Sequence, residues 1–254
     1  MADEKTPKTE STFPARLYRR RRNHRSRRQR TNLEQIKADS NGNTPAKAVS
    51  LLKSCSHAKF DETVECCVHL GIDPRLADQQ LRGALSMPKG VGKAARVICF
   101  CQNDKIDDLK AAGAVEAGGE ELAKKITDGW FDFDVAIASP DMMKVVGGLG
   151  RVLGPKGLMP NPKLGTVTPN VEQAVKDAKG GQVEFRVEKQ GIIHSGIGKL
   201  SFKDEDLKTN FKALTDAIVK AKPSGAKGKY VRKITLTSSM GPGLKVDLGE
   251  VEGA

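Results

Sequence analysis

The chain has 254 residues, 38% of them hydrophobic, and a formal net charge of +12. This length and composition can supply hydrophobic cores for two domains of ordinary size. No apolar run approaches the roughly 20 residues that cross a bilayer, and the first residues carry Asp3, Glu4 and Glu10 without an apolar core. We therefore expect neither a membrane span nor a signal peptide.

Most of the positive charge lies at the N-terminus. Residues 1–30 contain eleven Lys or Arg against three acids, which contributes +8 of the +12, and nine of the fifteen positions from Arg16 to Arg30 are arginine. This density predicts a basic, disordered arm over residues 1–30 that stays extended until phosphates neutralise it. A solubilising or targeting tail is one interpretation. Folding onto RNA is better supported, because arginine binds phosphate through a bidentate fork and stacks on bases.

The cysteine content favours a reducing compartment. The five cysteines are odd in number, and none forms a Cys-x-x-Cys pair. We expect small buried hydrophobic side chains rather than disulfides or metal ligands, and we predict neither a metal nor a cofactor. The residues concerned are Cys55, Cys66, Cys67, Cys99 and Cys101.

The globular part of the chain begins at Thr44. This residue can cap a helix that has Pro45 in its first turn and ends near Cys55. Residues 63–70 are apolar and β-branched enough for a strand, with alternate residues from Val64 on one face. The sequence therefore predicts a helix followed by a half-buried strand.

Glycine and proline mark both ends of a middle block. Pro88, Gly90 and Gly92 break regular structure at one end, and Gly180 and Gly181 do so at the other. Strand and helix signals alternate between these breaks, which predicts a small Rossmann-like α/β unit. The block holds twelve basic and twelve acidic side chains over residues 88–178, so it is neutral. The predicted strands are 96–101 and 135–138, and the predicted helices are 105–112, 120–128, 141–146 and 171–178.

The last part of the chain changes to strands around one long helix. Leu207, Phe211, Leu214 and Ile218 fall on one face of that helix, which is the pattern of a core helix. The predicted strands of this part are 182–187, 192–197 and 230–237.

The two glycine-rich breaks predict the domain organisation. Because they bracket the middle block, residues 31–87 and 179–254 can form one discontinuous α+β domain into which residues 88–178 are inserted. Two short crossings at one place permit the domains to swing. The predicted hinge residues are Pro88, Gly90, Gly180 and Gly181.

Nucleotide-binding motifs are absent in their required form. Gly147–Gly154 superficially resembles a dinucleotide loop, but Gly154 comes one residue too late and a predicted helix precedes it. The segment 90–94 lacks the first glycine and the hydroxyl residue of a P-loop. The four histidines are scattered, and no nucleophile elbow occurs. We therefore predict no enzyme, with a nucleotide-dependent α/β enzyme as the alternative.

The segment 150–168 is the most distinctive stretch of the chain. Three prolines and three glycines fall within residues 150–163, which predicts a long, stiff and irregular loop. Within residues 150–163 the only charges are Arg151, Lys156 and Lys163. Physical reasoning alone indicates a basic loop that contacts an anion or RNA.

The same segment closely resembles the signature of the bacterial-type family of the large-subunit ribosomal protein L-one. Further blocks resemble this family in order, from about residue 44 to residue 247. They are residues 58–65, 70–73, 133–135, 138–141, 191–194, 221–223, 226–228 and 239–242.

The resemblance implies a two-domain protein of the large ribosomal subunit. Its partners would be the rRNA of the mobile stalk beside the tRNA exit site, the departing deacylated exit-site tRNA, and its own messenger RNA, whose translation many bacterial members repress. The protein would act as a monomer within the ribosome, without a membrane. Acids before the arginine run argue mildly against a transit peptide, so we expect the bacterial cytoplasm, with an organellar ribosome as the alternative.

The resemblance also implies which residues bind RNA. Lysines suit phosphate, hydroxyls suit phosphate or 2′-OH, and Phe60 and Met240 offer flat apolar surface to a ribose or base. Taken singly, both apolar residues would more often lie in a core. The implied main site comprises Lys59, Phe60, Thr63, Lys189, Thr237, Ser239, Met240 and Gly241, and Arg151, Lys156 and Lys163 form a secondary contact.

Some residues depart from the family pattern. Lys156 stands where the family usually has arginine, and lysine lacks the bidentate geometry. Lys89 stands where histidine is common, and the arginine-dense arm has no counterpart in the family.

Overall fold

The computed structural model of the protein describes residues 27–38, 43–102, 106–226 and 228–250. The chain divides into two compact units, Met1–Ser40 and Asn41–Ala254. In the first unit, the described residues form helix α1, Arg27–Ala38.

Helix α1 corrects one expectation about the N-terminal arm. Residues 27–30 were expected to be extended, yet they form the first turn of α1. Arginine, glutamine, leucine and glutamate make up much of α1. These residues are good helix formers, and their intrinsic preference favours the helix. The rest of the predicted arm, residues 1–26, lies outside the described residues.

The second unit contains both helices and strands. Its described helices are α2 (Pro45–Cys55), α3 (Ile106–Ala111), α4 (Glu120–Thr127), α5 (Met143–Gly148), α6 (Gly150–Lys156), α7 (Val171–Lys179) and α8 (Asp204–Lys220). Its described strands are β1 (Thr63–Leu70), β2 (Arg82–Ser86), β3 (Val97–Phe100), β4 (Glu116–Gly118), β5 (Val135–Ala138), β6 (Gln182–Arg186), β7 (Ile192–Lys199), β8 (Val231–Ser238) and β9 (Leu244–Val246).

The start of the globular part agrees with its sequence pattern. The Thr44 hydroxyl accepts a hydrogen bond from the Lys47 backbone N at 3.4 Å, and Pro45 occupies the first turn of α2. Alternate residues of β1 are buried, beginning with Val64. The predicted cap, helix and strand are therefore confirmed.

An antiparallel sheet joins strands that are distant in sequence, in the order β7-β1-β8-β9. Helices α2 and α8 pack on it. The predicted apolar face of α8 is buried from Leu207 to Ile218. The Tyr230 hydroxyl, itself buried, donates to the Ile218 carbonyl at 3.1 Å and so ties the end of α8 to the beginning of β8.

A parallel sheet forms within residues 97–138, in the order β4-β3-β5. Every residue of β3 is buried, because apolar clusters lie on both faces of the sheet. Leu122 of α4 and Leu153 of α6 belong to one cluster, and Leu109 of α3 and Val175 of α7 belong to the other. The predicted alternation of covered strands is confirmed, and the structure as a whole is a mixed α/β fold.

Strands β2, β4 and β9 were not predicted. Strand β2 pairs antiparallel with β6, from Arg82 opposite Arg186 to Ser86 opposite Gln182. The segment Arg-Gly-Ala-Leu-Ser has no β-branched or aromatic residue, so it carries no strand signal of its own. Pairing with β6 determines its conformation.

The irregular loop predicted over residues 150–163 is wrong for its first half. Residues 150–156 form α6, which ends at Gly157 with a φ of +72°. Leu153 of this helix is fully buried in the core, and that burial outweighs the poor helix preference of glycine and of Pro155. Residues 162–164 form a 3₁₀ turn after Asn161, whose side chain caps it.

The cysteines behave as small apolar side chains. None of the five forms a disulfide in the described part of the chain; Cys67 is half-buried and the others are buried. Burial raises the pKa of the Cys99 thiol to about 12. Across the described residues, no cluster of three or more potential metal ligands was found, and no helix is both long and apolar enough to span a membrane.

The close approach of Gly181 to Gly90 gives a prediction about stability. A Cβ at Gly181, where φ is +99°, would lie 2.7 Å from the Gly90 Cα. We expect Gly181→Ala to lower the free energy of unfolding by about 1–3 kcal/mol. Gly147→Ala is the matched control, because its Cβ would meet nothing within 4 Å and alanine favours a helix by up to about 1 kcal/mol. Urea unfolding of both variants measures the difference, and equal midpoints would contradict the close contact.

Candidate nucleic-acid interface

The beginning of β1 and the end of β8 form one end of the antiparallel sheet. The Thr63 backbone N donates to the Ser239 Oγ at 3.1 Å, and the Ser239 backbone N donates to the Thr63 carbonyl at 3.1 Å. The Gly241 backbone N donates to the Ser238 carbonyl at 3.1 Å and closes the turn after β8. Two segments that the sequence places far apart, 59–63 and 238–241, therefore adjoin; we call them the main surface.

Two large apolar side chains on the main surface are open to solvent. Phe60 is 57% exposed and Met240 is 74% exposed. Folding normally buries such side chains, so exposure of both on adjoining segments is unusual. Lys59 and Ser239 are exposed beside them. The main surface can thus offer apolar contact together with a cation and a hydroxyl.

Glu62 lies beneath the main surface and is 1% exposed. Its carboxylate accepts hydrogen bonds from the Ser56 Oγ at 2.7 Å, the Ser238 Oγ at 2.7 Å and the Met240 backbone N at 2.9 Å. Burial by itself raises the pKa of this carboxyl, but the hydrogen bonds outweigh burial and hold the pKa below its ordinary value. Glu62 is therefore ionised at neutral pH.

Lys199 adds a cation to the main surface. Its Nζ donates to the Thr63 Oγ1 at 2.7 Å and to the Asp61 carbonyl at 3.4 Å, and its side chain is half-buried. The Asp61 carboxylate accepts from the Ser201 backbone N at 3.2 Å and from the Ser201 Oγ at 2.7 Å. These bonds hold the segment before β1 against the end of β7.

The remaining two residues of the predicted main site lie elsewhere on the sheet. Thr237 is half-buried and pairs with Glu65; it precedes Ser238, the last residue of β8. Lys189 is exposed in the turn before β7, at the end of the sheet where Ile192 pairs with His69. At about 3.4 Å per residue, the length of β1 separates Lys189 from the main surface. The structure brings together the predicted residues around Thr63 but does not bring Lys189 to them.

Sequence reasoning missed Glu62 and Lys199, for different reasons. Glu62 is two positions before Val64, in phase with the buried face of β1, so the alternation that predicted the strand could have shown a core-facing acid. Lys199 carries no such signal. It reaches Thr63 because these two residues pair across β7 and β1, and that register cannot be deduced from either strand alone.

A comparison with known families identifies the family of the chain. The family described as the Ribosomal protein L1p/L10e family matches residues 51–242. The chain belongs to this family. It is therefore an RNA-binding protein of the large ribosomal subunit and is located in the ribosome. The family is typically structural rather than enzymatic. The match extends from α2 to the turn after β8, and so it includes the main surface and Lys189.

The predicted secondary contacts of this ribosomal protein lie around the parallel sheet. Arg151 and Lys156 are exposed on α6, and Lys163 is exposed on the 3₁₀ turn that follows. The Lys156 Nζ lies 3.1 Å from the ring centroid of Phe131, in the position of a cation–π contact. One of the three cations is thus already engaged within the protein.

The two segments that hold the predicted hinge residues, 87–92 and 180–181, contact each other. The Met87 backbone N donates to the Gly181 carbonyl at 3.2 Å. Asn210 of α8 is fully buried, donates from Nδ2 to the Gly90 carbonyl at 2.9 Å and accepts at Oδ1 from the Lys89 backbone N at 3.1 Å. Pro88 and Gly180 are exposed in the same two segments. The segment 87–92 is therefore attached to α8.

The cation–π contact of Lys156 gives a prediction about stability. We expect Lys156→Ala to lower the free energy of unfolding by about 0.5–1 kcal/mol. Lys163→Ala is the matched control, because within the described residues its side chain has no ion pair or ring contact. Thermal unfolding at equal ionic strength compares the two variants, and equal losses would show that Phe131 contributes nothing.

Proposed function

We propose that this ribosomal protein binds the rRNA of the mobile stalk through the main surface and assists release of deacylated tRNA from the exit site. We further propose that it acts in the bacterial cytoplasm and represses translation of its own messenger RNA by binding a similar structure there. The observation that carries the proposal is the exposure of Phe60 and Met240 on adjoining, hydrogen-bonded segments.

The chemistry of the main surface suits RNA with unpaired or splayed nucleotides. Sequence-specific RNA recognition mostly uses bases and riboses that are accessible outside a regular duplex. Phe60 and Met240 offer them apolar contact, while Ser239 and Lys59 can bond to 2′-OH and phosphate. Because apolar, hydroxyl and cationic groups adjoin on this surface, it can recognise the shape of an RNA as well as its charge.

The domain organisation proposed from the sequence supports the role in tRNA release. We propose that residues 88–178 form an inserted domain that swings about the two crossings and carries Arg151 and Lys163 toward tRNA. Glycine at positions 90 and 181 allows the crossings to approach closely. In this arrangement the antiparallel sheet holds rRNA while the inserted domain follows the departing tRNA.

Removal of the exposed apolar side chains tests the main surface. We expect Phe60→Ala and Met240→Ala each to weaken binding of a stalk-rRNA fragment by about ten-fold, in the range of about 1–3 kcal/mol that stacking contributes per base. Because both side chains are exposed, the free energy of unfolding should change by less than about 0.5 kcal/mol.

The matched control for this test is Leu76→Ala, since Leu76 is 48% exposed outside the main surface. This variant should leave the affinities for stalk rRNA and for an unrelated RNA unchanged. Titration against stalk rRNA and an unrelated RNA separates the outcomes: equal loss on both RNAs would remove Phe60 and Met240 from the specific site.

The N-terminal arm should act through charge. Deletion of residues 1–26, which leaves α1 intact, removes six arginines and two lysines. We expect a flatter dependence of log K on log salt concentration, because counterion release scales with the number of neutralised phosphates. A full-length variant with the same six arginines changed to glutamine is the control for length. If this variant kept the wild-type salt dependence, the charge of the arm would not explain its contribution to binding.

A comparison of ligands tests the proposal against a nucleotide-dependent enzyme. A ligand that binds the native state raises the thermal midpoint. We expect a stalk-rRNA fragment to raise it and ATP or NAD to leave it unchanged. Stabilisation by a nucleotide alone would overturn the proposed function.

A further inference from the structure

Glu62 combines two properties that rarely occur together. Its side chain is buried, unlike every other Asp, Glu, Lys and Arg whose burial the structure describes. In the same part of the chain, no lysine, arginine or histidine forms an ion pair with it within 4 Å. An ionised carboxylate loses its hydration on burial, and neutral donors must replace that hydration. The arrangement of those donors shows what the carboxylate holds.

The donors come from the 238–241 segment of the main surface and from Ser56 and the Ala58 backbone, which lie between α2 and β1. Ser238 and the Met240 backbone N bond to one carboxylate oxygen, Oε2, while Ser56 bonds to the other, Oε1. Glu62 itself follows Phe60 by two residues, and its own carbonyl accepts from the Leu200 backbone N at 2.9 Å. The carboxylate thus connects the peptide that carries Met240 to the peptide that carries Phe60.

We propose that Glu62 is the positioning residue of the RNA site: its carboxylate holds the backbone at Met240 against the 58–62 segment, so that Met240 and Phe60 are presented together before RNA binds. This inference rests on the proposed function of the main surface. Glu62 touches no RNA in this account and acts through Met240.

Preorganisation explains why a buried charge is useful at this place. Both apolar side chains project into solvent, where packing restrains them little. Ordering of mobile groups during binding weakens affinity, so a backbone that is already fixed retains more of the contact energy. A carboxylate accepts at two oxygens and has no proton to donate, whereas an amide of the same shape replaces one acceptor by a donor. Glutamate is therefore suited to several converging donors in a way that glutamine is not.

The test compares three side chains at position 62 in the full-length protein. We expect specific affinity for a stalk-rRNA fragment to fall about five-fold in Glu62→Gln and further in Glu62→Leu, because a charge-assisted hydrogen bond is replaced first by a neutral one and then by none. Affinity for an unrelated RNA should stay within about two-fold, since phosphate contacts determine it. In parallel, hydrogen exchange of the Met240 amide should accelerate in the same order.

Glu184→Gln is the matched control, because it removes the same charge from an exposed position on β6. It should change neither the affinities nor the exchange of the Met240 amide. If Glu62→Leu fails to fold, the comparison of Glu62→Gln with Glu184→Gln still decides, at a temperature where urea unfolding shows both to be native.

Two outcomes would overturn the inference. One is faster exchange of the Met240 amide with wild-type specific affinity, which would show that positioning does not matter for binding. The other is an equal loss of specific and non-specific affinity together with a lower urea midpoint, which would show that Glu62 supports the whole fold. Failure of the proposed function appears differently, because the wild-type protein would then fail to prefer stalk rRNA over unrelated RNA.

Discussion

Pairing of β1 with both β7 and β8 is the interaction on which the candidate interface depends. Thr63 pairs with Lys199 on one side, and Val64 pairs with Ser238 on the other. These pairs place the start of the central strand beside the ends of its two neighbours, so that Met240 reaches Glu62 although 178 positions separate them in sequence. The interface is thus a property of sheet register, and no single segment of the chain contains it.

Much of the fold could be predicted from the sequence, and the exceptions share a physical cause. The Thr44 cap of α2, the alternation of β1 and the apolar face of α8 are local patterns, and each was confirmed. Strand β2 and helix α6 run against local preference, because pairing with β6 and burial of Leu153 determine them. Tertiary contacts of this kind leave no trace in a local window of sequence.

The residues of the candidate site also differ in whether a local sequence pattern could have revealed them. Phe60 and Met240 were identified through a family resemblance, and the structure adds their exposure. The alternation of β1 contained a signal for Glu62, since its phase points toward the core. Lys199 required the register of two distant strands, which the sequence does not state.

Charge and selectivity occupy different parts of the molecule. The first thirty residues hold +8 of the net charge, and residues 88–178 are neutral. The main surface combines a few cations with apolar and hydroxyl groups above one buried acid. In the proposed function, phosphate attraction without sequence preference and recognition of RNA shape are therefore separable.

The distance in sequence between the paired strands has a consequence for synthesis. The bonds that link Thr63 to Lys199 and to Ser239 close loops of 136 and 176 positions. Pairing over such separations folds slowly, and a chain emerges from the ribosome with its N-terminal end first. The helices around β3 can form while translation continues, but β1 has no partner strand until β7 has left the exit tunnel, and its second partner, β8, follows only after α8. The main surface is therefore complete only after residue 241 has emerged, so a shorter nascent chain lacks half of the proposed RNA site.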